Sequence, residues 1–190
     1  MGMKDQEVAL LFANEQGVDM SVSVSEMWRE VTKLQRYFKT HGVRRGDRIA
    51  GYLPNIPQAT YAFLAATSLG AIWSCCSQDF GVSSVVDRFA QIEPVLFIAA
   101  DGYYYNGKTH TRLEEIDAVR QSLQSVRDTL LINYTGAVRD EVKSGITNYD
   151  TLINSGDGAP EFEAVPFDHP LWILYSSGTT GAPKAITHSH

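Results

Sequence analysis

The sequence predicts an α/β fold: a mostly parallel sheet with helices on both faces. Three observations carry that prediction. Short apolar runs at 46–53, 71–77, 95–100, 128–134 and 171–175 recur along the chain. Stretches of helical length and periodicity separate most of them. The runs are nearly all apolar, as strands covered on both faces must be.

Taken in order, "EVALLFA" (7–13) reads as a strand. Ser25 is the expected N-cap of a helix over "EMWREVTKLQRYFKTHG", with Met27, Val31, Leu34 and Phe38 on one face and Gly42 as its stop. "GDRIAGYL" (46–53) is a strand that ends at Pro54. Residues 56–69 form an apolar helix ending at Gly70, and "AIWSCCS" (71–77) a buried strand. "SSVVDRFAQIEP" is a short helix closed by Pro94, followed by the strand "VLFIAA" (95–100). "TRLEEIDAVRQSLQSV" (111–126) is helical, with Leu113, Ile116, Val119 and Leu123 at core spacing. "DTLLINY" (128–134) is the next strand. The polar, Gly- and Asp-rich stretch 136–168 is a long surface connection, with at most a short helix near "YDTLI". "LWILY" (171–175) is a short apolar strand, and "AITH" begins another.

Composition narrows the function classes. Sixteen basic against twenty-two acidic residues give a net charge of −6, which argues against nucleic acid as a partner. Hydrophobic residues at 44% are too many for a disordered chain. The only cysteines, Cys75 and Cys76, are adjacent and frame neither a disulfide nor a zinc site, so a reducing cytoplasmic location is expected. The N-terminal "MGMKDQEVALLF" carries charges where a secretory signal needs an apolar core. From Gly51 to Gln78 no residue is charged, but Pro54, Pro57 and Gly70 interrupt the run. A buried helix followed by a buried strand explains it better than a membrane span, and no membrane partner is expected.

The chemistry concentrates behind the last apolar strand. Ser176, Ser177, Gly178, Thr179, Thr180 and Gly181 place four hydroxyls and two glycines in six consecutive positions, and Lys184 follows. Glycines let successive backbone N–H groups turn inward around an anion, hydroxyls add rotatable donors, and lysine adds a charge. No acidic residue lies between Asp168 and His190, so the local field favours a polyphosphate. The run is not a Walker A loop, because Pro183 precedes the lysine, nor a nucleophile elbow, because Tyr175 takes the first glycine position. The competing reading is a plain Ser/Thr/Gly-rich connection.

These residues also carry a resemblance. "YSSGTTGAPKAITH" resembles the phosphate-loop signature of the adenylate-forming superfamily of acyl-CoA synthetases, adenylation domains and luciferases. "GVRRGDRIAGYLPNIPQATYAFLAATSLGAIWSCCSQDFG", "VVDRFAQIEPVLFIAADGYYYNGKTH" and "DHPLWILYSSGTTGAPKAITHSH" are similar to its acetoacetate-activating branch. The resemblance runs from about Lys4 onward and is weakest in 136–165. It implies an ATP-dependent ligase that joins acetoacetate to CoA through an acyl-adenylate, releasing pyrophosphate and AMP, with Mg2+ accompanying the ATP. Acetate, propionate or another short acid is the alternative substrate.

By the same resemblance, Ser176, Ser177, Gly178, Thr179, Thr180, Gly181 and Lys184 bind the outer phosphates of ATP, and Lys184 stabilises the leaving group. Lys108, in "YYYNGKTH", falls where relatives present basic residues to the phosphates of CoA; an exposed lysine without a ligand is the plainer reading. Residues 1–190 would form part of the large N-terminal AMP-binding domain, with the adenine and ribose contacts and the C-terminal domain beyond them. On that reading the isolated chain is inactive, or a non-catalytic nucleotide-binding piece. One departure is that Gln78 stands where relatives carry proline before Asp-Phe-Gly, which leaves that turn open. His188 and His190, with His169, lack an acidic or thiol partner, and no metal site is expected. Tyr103, Tyr104, Tyr105, Trp28, Trp73 and Trp172 are read as packing residues.

Overall fold

The computed structural model describes residues 4–138, 144–152, 159–176 and 183–190. A hairpin of β1 (Val8–Ala13) and β2 (Asp19–Ser23) leads into α1 (Val24–Thr40). The chain continues through β3 (Arg48–Tyr52), α2 (Pro57–Ser68), β4 (Ile72–Cys76), α3 (Val82–Phe89) and β5 (Leu96–Ala100). A second hairpin, β6 (Gly102–Tyr105) with β7 (Lys108–Thr111), precedes α4 (Leu113–Ser122) and β8 (Asp128–Ile132). Then come β9 (Ile146–Asn148), a 3-10 turn (Tyr149–Thr151), β10 (Pro170–Tyr175) and β11 (Ala185–Ser189).

Seven of these strands form one sheet in the order β11-β10-β4-β3-β5-β8-β9. All neighbours are parallel except β10 and β11. The strand period of two divides the core cleanly. Ile49, Trp73, Leu96, Ile98 and Leu130 face α1 and α2. Ala50, Tyr52, Phe97, Ala99 and Leu131 face α3 and α4. Gly51 is fixed by that packing, because a Cβ there would lie 2.8 Å from the Trp73 indole.

Every strand expected in the sheet forms, and so does the helix–strand pair read in the uncharged stretch 51–78. Among the described residues no helix is long and apolar enough to cross a membrane. The differences lie at element ends. The N-cap of α1 is Ser23, not Ser25. Ser23 has Glu26 three residues on, and the pair closes a capping box: Glu26 N donates to Ser23 Oγ (3.3 Å) and Ser23 N to Glu26 Oε2 (2.8 Å). Trp28 stands in that place for Ser25 and cannot reciprocate. Helix α4 is shorter than the 111–126 expected, because Thr111 is drawn into β7.

Strands β2, β6, β7 and β9 go beyond the sequence expectation. β2 holds Asp and two Ser, poor strand formers that β1 recruits by pairing. The β6–β7 turn has a local signal: Asn106 and Gly107 both take positive φ, 52° and 70°, as a tight hairpin requires. The stretch 136–168, expected as a surface connection, instead adds β9 to the central sheet and buries Tyr149, and its described residues 159–168 are anchored as well. Buried Gln35 donates from Nε2 to the carbonyl of Glu161 (2.8 Å) and accepts from its N–H (3.0 Å).

Buried hydroxyls and thiols make stability sensitive to alkali. Burial pushes Tyr52, Tyr61 and Tyr175 up to about 12. It also lifts the Cys75 and Cys76 thiols from 9.0 to about 12. Burial, with Asp128 beside it, raises Tyr37 as well. An unfolded chain sheds these protons from about pH 9 to 10, while the folded chain holds them to about pH 12. Their contribution is therefore whole below pH 9 and is lost as pH rises towards 12. Urea midpoints are expected to fall steadily between pH 8.5 and 11; a flat profile would show that these groups ionise freely in the fold.

Candidate nucleotide-phosphate site

The sheet places the terminal loop by its topology. β3 and β4 are neighbours, yet α2 after β3 covers one face and α3 after β4 covers the other. Connections that diverge in this way open a crevice at the carboxyl ends of the strands. β10 lies against β4 on that side, with Trp172 opposite Trp73 and Ile173 opposite Ser74. The buried Ser74 hydroxyl donates to the carbonyl of Ile173 (2.9 Å) and fixes the pairing.

β10 thus delivers Ser176 to the carboxyl edge, and β11 returns antiparallel from Lys184. Ser176 N donates to the carbonyl of Lys184 and Lys184 N to Ser176 Oγ, both at 3.1 Å. Because Ser176 Oγ accepts here, its proton is left to donate elsewhere. Lys184 is exposed, and its ammonium makes no ion pair among the described residues. Ser177, Gly178, Thr179, Thr180 and Gly181 lie outside the described residues. The structure therefore brings Ser176 and Lys184 together at the crevice.

Neighbouring loops are held rigidly. Tyr52 Oη donates to the carbonyls of Gln78 (3.1 Å) and Phe80 (2.7 Å), and Arg112 Nε to that of Gln78 (2.9 Å). Gln78 itself is buried and donates from Nε2 to the carbonyl of Ala100 (2.5 Å). A side-chain amide thus ties this turn to the end of β5. Among the described residues, Gln78 Oε1 has no partner in its buried setting.

Asp101, fully buried, accepts from the N–H groups of Tyr134 (2.8 Å), Thr135 (2.8 Å) and Ala137 (2.7 Å). Its carbonyl accepts from Arg112 N (2.8 Å). The loop after β8 is folded around this one carboxylate. No sequence motif marks Asp101; a lone aspartate directly after a buried strand is its only trace.

Lys108 sits on the β6–β7 hairpin, which leaves the carboxyl end of β5. β5 is three strands from β10, about 14 Å across the sheet. The hairpin tip is pinned where Gly107 N donates to Glu15 Oε2 (2.9 Å), and that bond holds the Glu15 carboxyl below the ordinary carboxylate range. Lys108 is exposed and apart from Ser176 and Lys184.

Tyr103 stacks on His110 and Tyr104 meets Tyr134 edge-on, as packing residues do. Tyr105 does not pack: it is 65% exposed at the hairpin end. Trp73 is buried, Trp28 packs against Phe162, and Trp172 packs against Phe63. His169 bonds the carbonyl of Gly70 through Nε2 (2.9 Å), and its ring lies 6.2 Å from that of His190. A cavity of about 610 Å³ opens between β7, the start of α4 and residues 135–137. Glu114 and Glu115 line it, which makes it a poor seat for a phosphate.

Comparisons with known proteins point in one direction. An acetoacetyl-coenzyme A synthetase of Rhizobium meliloti (strain 1021) is 44% identical over 184 residues, covering 95% of this chain and 28% of that protein. An acetoacetyl-CoA synthetase of Gallus gallus is 42% identical over 98% of this chain and 29% of its own length. The solved acetoacetyl-CoA synthetase from Streptomyces lividans superposes with a TM-score of 0.90 at 46% identity, over 97% of this chain and 28% of that one. The chain therefore spans less than a third of the length of the relatives it matches. The model of the AMP-binding enzyme family matches from residue 3 to residue 190, and the chain belongs to that family.

Proposed function

We propose that this chain carries the phosphate-binding part of an acid–thiol ligase that makes acetoacetyl-CoA from acetoacetate, ATP and CoA. In the first step a carboxylate oxygen attacks the α-phosphorus of ATP, and pyrophosphate leaves. In the second the CoA sulfur attacks the acyl carbon of the adenylate, the bond to AMP breaks, and the thiol proton is released. The observation that carries this reading is 42–46% identity to acetoacetyl-CoA synthetases over nearly the whole chain.

On this reading Ser176, Ser177, Gly178, Thr179, Thr180, Gly181 and Lys184 hold the β- and γ-phosphates. Ser176 and Lys184 suit that role, since their backbones are bonded to each other at the carboxyl edge, the Ser176 hydroxyl keeps its proton to donate, and Lys184 is exposed with no ion pair among the described residues. Charge that builds on the departing pyrophosphate meets donors already in place. Mg2+ would travel with ATP, because residues 176–184 offer hydroxyls and one lysine but no carboxylate. Lys108, exposed on the same edge of the sheet, is the proposed contact for a CoA phosphate. The residues belong to the large N-terminal domain of such an enzyme, and the two free cysteines favour a reducing cytoplasm.

The test is a comparison of acids. The protein expressed from its complete gene is given ATP, CoA and either acetoacetate, acetate or propionate, and thioester formation is followed. Acetoacetate is expected to give the highest kcat/KM. A higher value with acetate or propionate would replace the substrate. No pyrophosphate release with any acid would remove the ligase assignment.

A further inference from the structure

The end of α3 contacts both ends of the terminal loop. Gln91, two residues past the helix, donates from Nε2 to the carbonyl of Pro183 (2.9 Å) and to that of Asp87 (2.6 Å). On the other side of the loop, Tyr175 Oη donates to the carbonyl of Arg88 (2.8 Å). The Arg88 guanidinium lies over the rings of Phe80 (4.7 Å) and Tyr175 (5.8 Å), with one N–H to the carbonyl of Ser84 (2.7 Å). The second hydrogen bond of the Gln91 amide, to Asp87, orients the group that reaches Pro183.

These contacts solve a mechanical problem. β11 is an edge strand whose five residues are all exposed, and among the described residues it pairs only with β10. The start of β11 is thus held to the sheet on one side only, through β10 and the bonds between Ser176 and Lys184. Pro183 has no N–H, so its carbonyl is its only backbone handle. Among the described residues, Gln91 makes the only side-chain hydrogen bond that reaches Pro183–Ser189 from outside the hairpin. It acts one residue before Lys184.

We infer that Gln91 is a positioning residue for ATP binding: by holding the Pro183 carbonyl to the end of α3, it fixes the backbone from which Lys184 reaches the outer phosphates. The inference rests on the proposed role of Lys184. Positional errors of about an ångström at a reacting group are costly, and a lysine at the start of an edge strand paired on one side only gains precision from a second hold. Tyr175 and Arg88 hold the upstream end, so loss of Gln91 alone leaves β10 in place and removes one of the holds on the lysine end.

The test is Gln91→Met, which keeps the length and bulk of an exposed side chain and removes its donor. Steady-state kinetics of the protein from its complete gene are compared with wild type, together with thermal midpoints. The expected result is a KM for ATP raised about 3- to 10-fold, the effect of one lost hydrogen bond. The KM values for the acid and for CoA, and the thermal midpoint, should be unmoved, while kcat should fall as well, because the lysine being positioned acts on the departing pyrophosphate. An unchanged KM for ATP in an active enzyme would overturn the role of Gln91 and leave the ligase reading standing. So would a parallel rise in all three KM values with a lowered midpoint, which marks a structural residue. A wild-type protein that releases no pyrophosphate from ATP with any acid would sink the ligase reading, and this inference with it.

Discussion

Lys184→Ala is expected to slow adenylation by about 100-fold, the usual cost of removing one preorganised donor from a developing oxyanion. The lysine stands at the carboxyl edge beside Ser176, with no ion pair among the described residues to compete for it. Its charge matters most as pyrophosphate departs, so kcat should fall more than KM for ATP rises. Single-turnover pyrophosphate release measures the step directly. Because the side chain is exposed, the thermal midpoint should not move. Lys184→Arg keeps the charge but changes its shape and is expected to recover only part of the rate. An unchanged adenylation rate in Lys184→Ala would take this residue out of the mechanism.

The second large effect concerns stability. In Asp101→Asn the carboxylate that gathers three backbone N–H groups becomes an amide with one acceptor oxygen. Oδ1 receives Tyr134 and Thr135, and Oδ2 receives Ala137. Whichever way the amide turns, its NH2 faces an N–H, and a buried donor is stranded. Hydrogen bonds to charged groups contribute about 1.5–3 kcal/mol each, and the substitution is expected to cost about 3 kcal/mol, read from urea unfolding. Amide exchange at Tyr134, Thr135 and Ala137 should accelerate most, because the loop is wrapped on that side chain. A cost under about 1 kcal/mol would mean that the loop holds itself.

The two residues differ in how far the sequence reveals them. Lys184 follows a dense run of hydroxyls and glycines behind an apolar strand, and a pattern of that density is readable without coordinates. Asp101 looks like any strand-end aspartate. Its importance comes from amides more than thirty residues away, brought beside it only when β5 and β8 pair. Gln91 is similar: in the sequence it is a polar residue near the end of a short helix, and its partner Pro183 is a further 92 residues along. Gln78 stands out in the sequence only through the family resemblance, while the bond that gives it a role ends on Ala100 in β5.

Periodicity determined the fold class, the strands β3, β4, β5, β8 and β10, and the helices between them. Burial on one face or two leaves a local signature in residue types, and that signature needs no knowledge of neighbours. Composition likewise carries the expectation that residues 176–184 bind phosphate, since hydroxyls, glycines and a lysine act through their own donors. Strand order, by contrast, was decided only in three dimensions. Nothing local says that β10 leaves β8 and β9 behind to pair with β4, or that it reaches the side where α2 and α3 part to opposite faces. That choice is made by surfaces distant in sequence, Ser74 against Ile173 and Trp73 against Trp172. It sets Ser176 and Lys184, the described residues on either side of the loop, at the carboxyl edge of the sheet beside that parting.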